Sequence, residues 1–241
     1  MNTFLTFLKI EGKLVWKGMD IFIFGLCFPI ILSLLFGYLM TNGDSIAFQQ
    51  SYPALITIGI LATGVMGVPL TIADYRHRGI LKRFKVTPVS PLLILFSQGT
   101  IQLSAAILSF IGVTMVYALL FDYTLTGSWI LFLLSFALVI VAMYSIGIFI
   151  GSIVKDQKAA NVWSSLAYFT MLLFSGATIP YEIMPTAIQW MMDVLPLSHG
   201  IHLLKQTSIG QPIGDSFLHI SVLLVCIIIG LYGSFKLFKW K

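Results

Sequence analysis

Six long apolar runs are spaced along the chain, at about 21–41, 52–73, 91–121, 128–154, 159–179 and 216–238. Each reaches the roughly 20 residues that a helix needs to cross a hydrocarbon core. None contains Asp, Glu or Arg, the one Lys is Lys236 at the far edge of the sixth, and His219 is the only histidine well inside one. The pattern predicts an all-α polytopic membrane protein with six transmembrane helices, and residues 1–241 are expected to form a single transmembrane domain. The third and fourth runs exceed the bilayer thickness and are expected to tilt or to extend into the interface.

Two segments break the pattern. In residues 1–20, Lys9, Lys13 and Lys17 recur on one helix face, beside Phe4, Phe7, Leu8, Leu14 and Val15. An amphipathic helix lying on the inner membrane surface is expected there, either as an anchor or with an added partner contact. Residues 180–205 are apolar but interrupted by Pro180, Pro185 and Pro196. They are too broken to span and too apolar for a free loop. Short re-entrant helices in the outer leaflet, between the fifth and sixth spans, fit best.

Basic residues give the orientation. Thirteen of the fourteen Lys and Arg fall in the N-terminal segment, the 74–90 and 155–158 loops and the C-terminal tail. The alternate connections hold Lys205 alone. Lys and Arg favour cytoplasmic loops, so both termini are expected in the cytoplasm of a multi-pass cell-membrane protein. Composition agrees. Hydrophobic residues make up 58% and charged residues 10%, with mean hydropathy +0.97, whereas soluble domains carry about a quarter charged residues. The net charge of +5 is therefore read as lipid-facing, not as a nucleic-acid surface. Cys27 and Cys226 lie inside apolar runs and are read as packing residues.

Little catalytic chemistry is visible. There is no GxxxxGK[ST] loop, so no means of holding ATP, and no HExxH or GxSxG motif. His199 and His202, with Glu182 and Asp193 nearby, lack a recognisable metal spacing, and no metal or catalytic site is expected. Spans without carboxylates offer little for proton or sodium coupling.

The 74–90 loop is the most charged stretch. Ile80, Leu81 and Phe84 would form an apolar ridge on a short helix rimmed by Arg76, Lys82, Arg83 and Lys85, with Pro88 ending it. A ridge of that form docks in a partner's groove, although a positive loop touching lipid is the plainer alternative. Here the sequence resembles a family. Arg78-Gly79-Ile80-Leu81-Lys82-Arg83-Phe84-Lys85-Val86-Thr87-Pro88 is similar to the loop of type-2 ABC export permeases, which include drug-resistance and polysaccharide exporters. Phe174-Ser175-Gly176, Ile179-Pro180, Met184-Pro185 and Leu195-Pro196-Leu197-Ser198 resemble that family's stretch after the fifth span. One departure is plain: Asp74 is the nearest acidic residue ahead of Gly79, and Arg76 and Arg78 intervene.

The resemblance implies an exporter permease of a bacterial plasma membrane that works as a pair, a homodimer or a heterodimer. Each copy would bind a cytoplasmic ABC ATPase that holds the ATP and Mg, with no cofactor on this chain. It implies that Asp74, Arg76, Arg78, Gly79, Ile80, Leu81, Lys82, Arg83, Phe84, Thr87 and Pro88 form an ATPase-coupling segment. It implies a path beside the second and fifth spans, where Thr57, Thr63, Thr71, Asn161, Ser164, Ser165, Thr170 and Ser175 lie. Hydrogen bonding between helices is the equal alternative for those residues. Gly176, Pro180, Pro185 and Pro196 would shape the outer re-entrant motif. Gly147 and Gly151 form a GxxxG pair expected to pack helices closely within one subunit. An ATP-independent carrier or channel, and a membrane enzyme using His199, His202, Glu182 or Asp193, are the competing readings. No substrate is legible.

Overall fold

The computed structural model describes residues 12, 21–41, 45–79, 91–179, 181, 184–211 and 216–237. The helix expected at 1–20 lies outside them, Gly12 excepted. All regular structure among the described residues is helical. Helix α1 starts with a π-helical stretch, Ile21–Cys27, and continues through Phe28–Thr41. Helix α2 comprises Ser45–Leu61, a π-helical stretch Ala62–Gly67, and Val68–His77. Then follow α3 (Pro91–Leu120), α4 (Trp129–Ile153), α5 (Gln157–Phe174), α6 (Thr186–Val194), α7 (Pro196–Ile209) and α8 (Phe217–Leu237).

Among the described residues, five stretches are long and apolar enough to cross a membrane: Phe22–Leu39, Phe48–His77, Ser97–Leu120, Trp129–Ile153 and Phe217–Leu237. Helix α5, which covers most of the run expected as the fifth span, is not among them. It has 18 residues and opens on Gln157 and Lys158, with Asn161 one turn on. The chain leaves the helix after Phe174, and Gly176 takes a positive φ of 87° that a side chain rarely adopts.

Helix α2 forms the centre of the bundle. Its window Phe48–His77 is 83% buried, against 17–39% for the other four. Small residues let neighbours close on it. A side chain at Gly59 would overlap Ser109 of α3, one at Gly67 would overlap Gln102, and one at Gly147 of α4 would run into the Gly64 carbonyl. Gly151 rests on Pro69 and Ile72 in the same way. The GxxxG pair thus holds α4 against α2 within the chain, where backbones approach closely. Helix α4 is itself flanked by α8 and α7. Gly230 and Gly233 of α8 sit against Ser145 and Phe149, so α4 and α8 run side by side in the same direction.

The two ends of the bundle differ. At one, Tyr52, Tyr117 and Phe132 are fully buried in an aromatic cluster with Phe48 and Tyr123. Tyr52 pairs with Thr114 (2.9 Å) and Tyr117 with Ser51 (2.7 Å). The α3–α4 connection docks there on α7, with Gly127 N donating to Ser208 O (2.8 Å), and Gly210 ends α7 in the left-handed conformation. Burial in this loop pushes the Tyr123 phenol well above its usual range. At the other end lie the foot of α2 with Arg76 and Arg78, the α4–α5 turn with Lys155 and Lys158, and the end of α8 with Lys236.

Candidate functional site

The basic end carries the described part of the predicted coupling segment. Asp74 and Arg76 do not lie in a loop: they belong to the last turn of α2. The helix stops where Arg78 N donates to Asp74 O (2.9 Å) and Gly79 N donates to Arg76 O (3.1 Å). Gly79 has φ 66°, the left-handed conformation in which helices commonly end. Ile80, Leu81, Lys82, Arg83, Phe84, Thr87 and Pro88 lie outside the described residues.

The two arginines of this turn point to different places. Arg78 Nε meets Asp74 Oδ2 at 2.9 Å in an exposed pair, and the bond to that carboxylate raises its guanidinium pKa. Exposed pairs of this type contribute little stability. Arg76 is half-buried. Its Nη1 donates to Val154 O and its Nη2 to Gly151 O (3.2 Å). The last carbonyls of a helix have no partner inside it and carry its negative dipole end. The fork of Arg76 therefore caps α4. Just beyond, Asp156 starts α5 by accepting from Ala159 N (2.8 Å).

The residues predicted to line a path separate into two groups. On α2, Thr57 and Thr63 are fully buried, and their hydroxyls donate to Ala54 O (2.6 Å) and Gly59 O (2.9 Å). Thr63 also accepts from Tyr144 of α4 (3.0 Å). Thr71 donates to Gly67 O (2.9 Å) and accepts from Gln98 of α3 (3.3 Å). Ser164 and Ser175 are buried as well. Asn161 is exposed, and Ser165 and Thr170 are half-exposed, all on α5. Between α4 and α5 runs an apolar groove of about 400 Å³, lined by Phe149, Ile153, Trp163, Leu166, Thr170 and Met171 among others.

Beyond α5, Pro185 precedes α6 and Pro196 opens α7; Pro180 lies outside the described residues. Three histidines meet there. His199 Nε2 bonds Asp193 O (2.9 Å), an acceptor only, so that nitrogen carries the proton in the neutral ring. Its Nδ1 then accepts from Nδ1 of His219 (2.9 Å), whose ring stacks on His202. Tyr181 packs on His202 and donates to Asp193 Oδ2 (3.4 Å). Among the described residues no three His, Cys, Asp or Glu side chains are arranged to hold a metal ion.

Sequence reasoning missed three polar positions. Gln98 bridges Thr71 and Tyr75, Gln102 is fully buried against Gly67, and Tyr144 joins α4 to α2. Two glutamines within an apolar run were the available signal.

Comparison with known proteins relates the sequence of this chain to a group. A family model described as ABC-2 type transporter matches residues 2–208. Nodulation protein J of Rhizobium leguminosarum bv. viciae is 28% identical over 199 residues, covering 78% of this chain and 75% of that protein. The YvfS transport permease of Bacillus subtilis is 26% identical over 184 residues, with 70% and 72% covered. The inner membrane transport permease YhhJ of Escherichia coli is 27% identical over 129 residues, covering 53% of this chain and 34% of that protein.

Proposed function

The chain belongs to the ABC-2 type transporter family, and from that membership we propose that it is the membrane-spanning permease of an ATP-binding-cassette exporter. It moves substrate outward along a path between two permease copies, driven by ATP hydrolysed on separate cytoplasmic subunits. The family match over residues 2–208 carries this reading. The gathering of Arg76, Arg78, Lys155, Lys158 and Lys236 at one end supports a cytoplasmic placement of that end.

In this reading α5 is the remaining span, short and open on one side because it borders the path and not only lipid. The polar groups on that open side are Asn161, Ser165 and Thr170. The α2 threonines belong to the packing of the subunit, since their hydroxyls are already bonded within it. Helices α6 and α7 sit in the outer leaflet and close the path from outside. The segment that follows α2, as far as Pro88, receives the ATPase, with Ile80, Leu81 and Phe84 as its ridge and Arg83 beside it.

The test is recovery of an ATPase with the tagged chain in mild detergent, for the wild type and for the double variant Arg83→Glu, Phe84→Ala. The expected result is an ATPase recovered with the wild type and reduced by about tenfold or more in the variant, the cost of losing a buried anchor and reversing a charge. Equal recovery by both removes the coupling role from 74–90.

A further inference from the structure

Resting on the exporter reading, we infer that Arg76 is a positioning residue that carries displacement of the coupling segment into α4 and α5. It stands three residues before Gly79, where α2 ends and the charged segment begins. Unlike Arg78, whose side chain pairs with Asp74 at the surface, Arg76 reaches back into the bundle. It donates to two carbonyls of the α4 terminus, Gly151 O and Val154 O, which lie 75 and 78 residues away in sequence.

The chemistry suits a linkage. A guanidinium presents fixed, planar donors, so two bonds to carbonyls three residues apart at the helix end hold its direction as well as its distance. A lysine in the same place gives a point charge without that fork. The contact behind it has no slack. Gly151 lies against Pro69 and Ile72 so closely that an added side chain would overlap them. The last turn of α4 therefore sits against α2 and is pinned by Arg76 at once.

Motion delivered to Val154 has a short way to go. Val154 N bonds Ile150 O (3.1 Å), and two residues on, Asp156 caps α5 through Ala159 N (2.8 Å). Helix α5 carries the exposed Asn161 and the half-exposed Ser165 and Thr170. A shift at the foot of α2 thus reaches the start of the path-bordering helix through one side chain and one turn. Because both bonded guanidinium nitrogens serve this internal contact, direct binding to the ATPase falls to the residues beyond Gly79.

The experiment is hydrogen exchange by mass spectrometry on the full chain in nanodiscs, with and without the ATPase that co-purifies with it, for wild type, Arg76→Gln and Arg76→Lys. The expected result is that ATPase binding slows exchange of the 154–159 backbone in the wild type by about tenfold, a common size for coupling between sites. Arg76→Gln binds the same amount of ATPase, keeps the response at 74–79 and loses it at 154–159. Arg76→Lys gives an intermediate response and keeps a charge at the α4 terminus, so the comparison stands even where the Gln variant folds poorly. A wild-type response at 154–159 in both variants overturns the inference and leaves the exporter reading intact. Loss of ATPase binding in both makes Arg76 a partner contact and overturns the inference too. Absence of any ATPase with the wild type sinks the exporter reading, and the inference with it.

Discussion

Gly147 shows how closely the subunit is built at the level of single residues. Its α-carbon faces the Gly64 carbonyl, and a side chain there has backbone on the other side instead of a movable group. Gly147→Leu is expected to cost at least about 3 kcal/mol, the upper range for overpacking, seen as a large fall in the thermal unfolding midpoint in detergent. Tyr144→Phe tests the opposite limit. It removes only the bond to Thr63, and hydrogen bonds between membrane helices average about 0.6 kcal/mol, so the midpoint is expected to move little. A large drop on Tyr144→Phe would mean that the hydroxyl does more than join α4 to α2. At this scale the sequence was least legible. Arg76 and Arg78 look alike in a list of charges at the end of an apolar run. Which one turns inward depends on where the α4 terminus lies, and no local pattern contains that. Likewise the threonines of α2 look the same whether they line a path or bond their own helix.

Among the elements, α5 is the one where sequence and structure differ most. Its apolar run was visible, but the helix starts at Gln157 and ends at Phe174, shifted toward the polar residues. Asp156 explains the start, because its carboxylate accepts from Ala159 N and no earlier residue supplies a cap. Asp156→Ala is expected to cost about 1 kcal/mol, as loss of a cap does, and to raise hydrogen exchange in the first turn of α5. Unchanged exchange there would show that packing alone places the helix start. Helix α2 differs in another way. Its π-helical stretch Ala62–Gly67 inserts an extra residue into the helix, a feature that has no signature in hydrophobic periodicity and often marks functional places. The apolar runs themselves were legible because hydrocarbon demands length and low polarity together.

For the whole molecule, the all-helical membrane class was plain from composition and from the spacing of runs, since no soluble fold can carry so little charge. Among the described residues, Arg76, Arg78, Lys155, Lys158 and Lys236 gather at the end of the bundle opposite the aromatic cluster. The arrangement around the central α2 was not foreseeable, because burial inside protein and burial inside lipid select the same side chains. The assembly is where the function now rests. The measurement that addresses it is the native mass of the complex extracted in mild detergent from cells that express the chain with its cognate ATPase. The expected species contains two permease copies of 26.7 kDa together with two ATPase subunits. A folded permease that appears only without an ATPase, and that conducts flux in liposomes with no ATP present, would contradict the exporter reading.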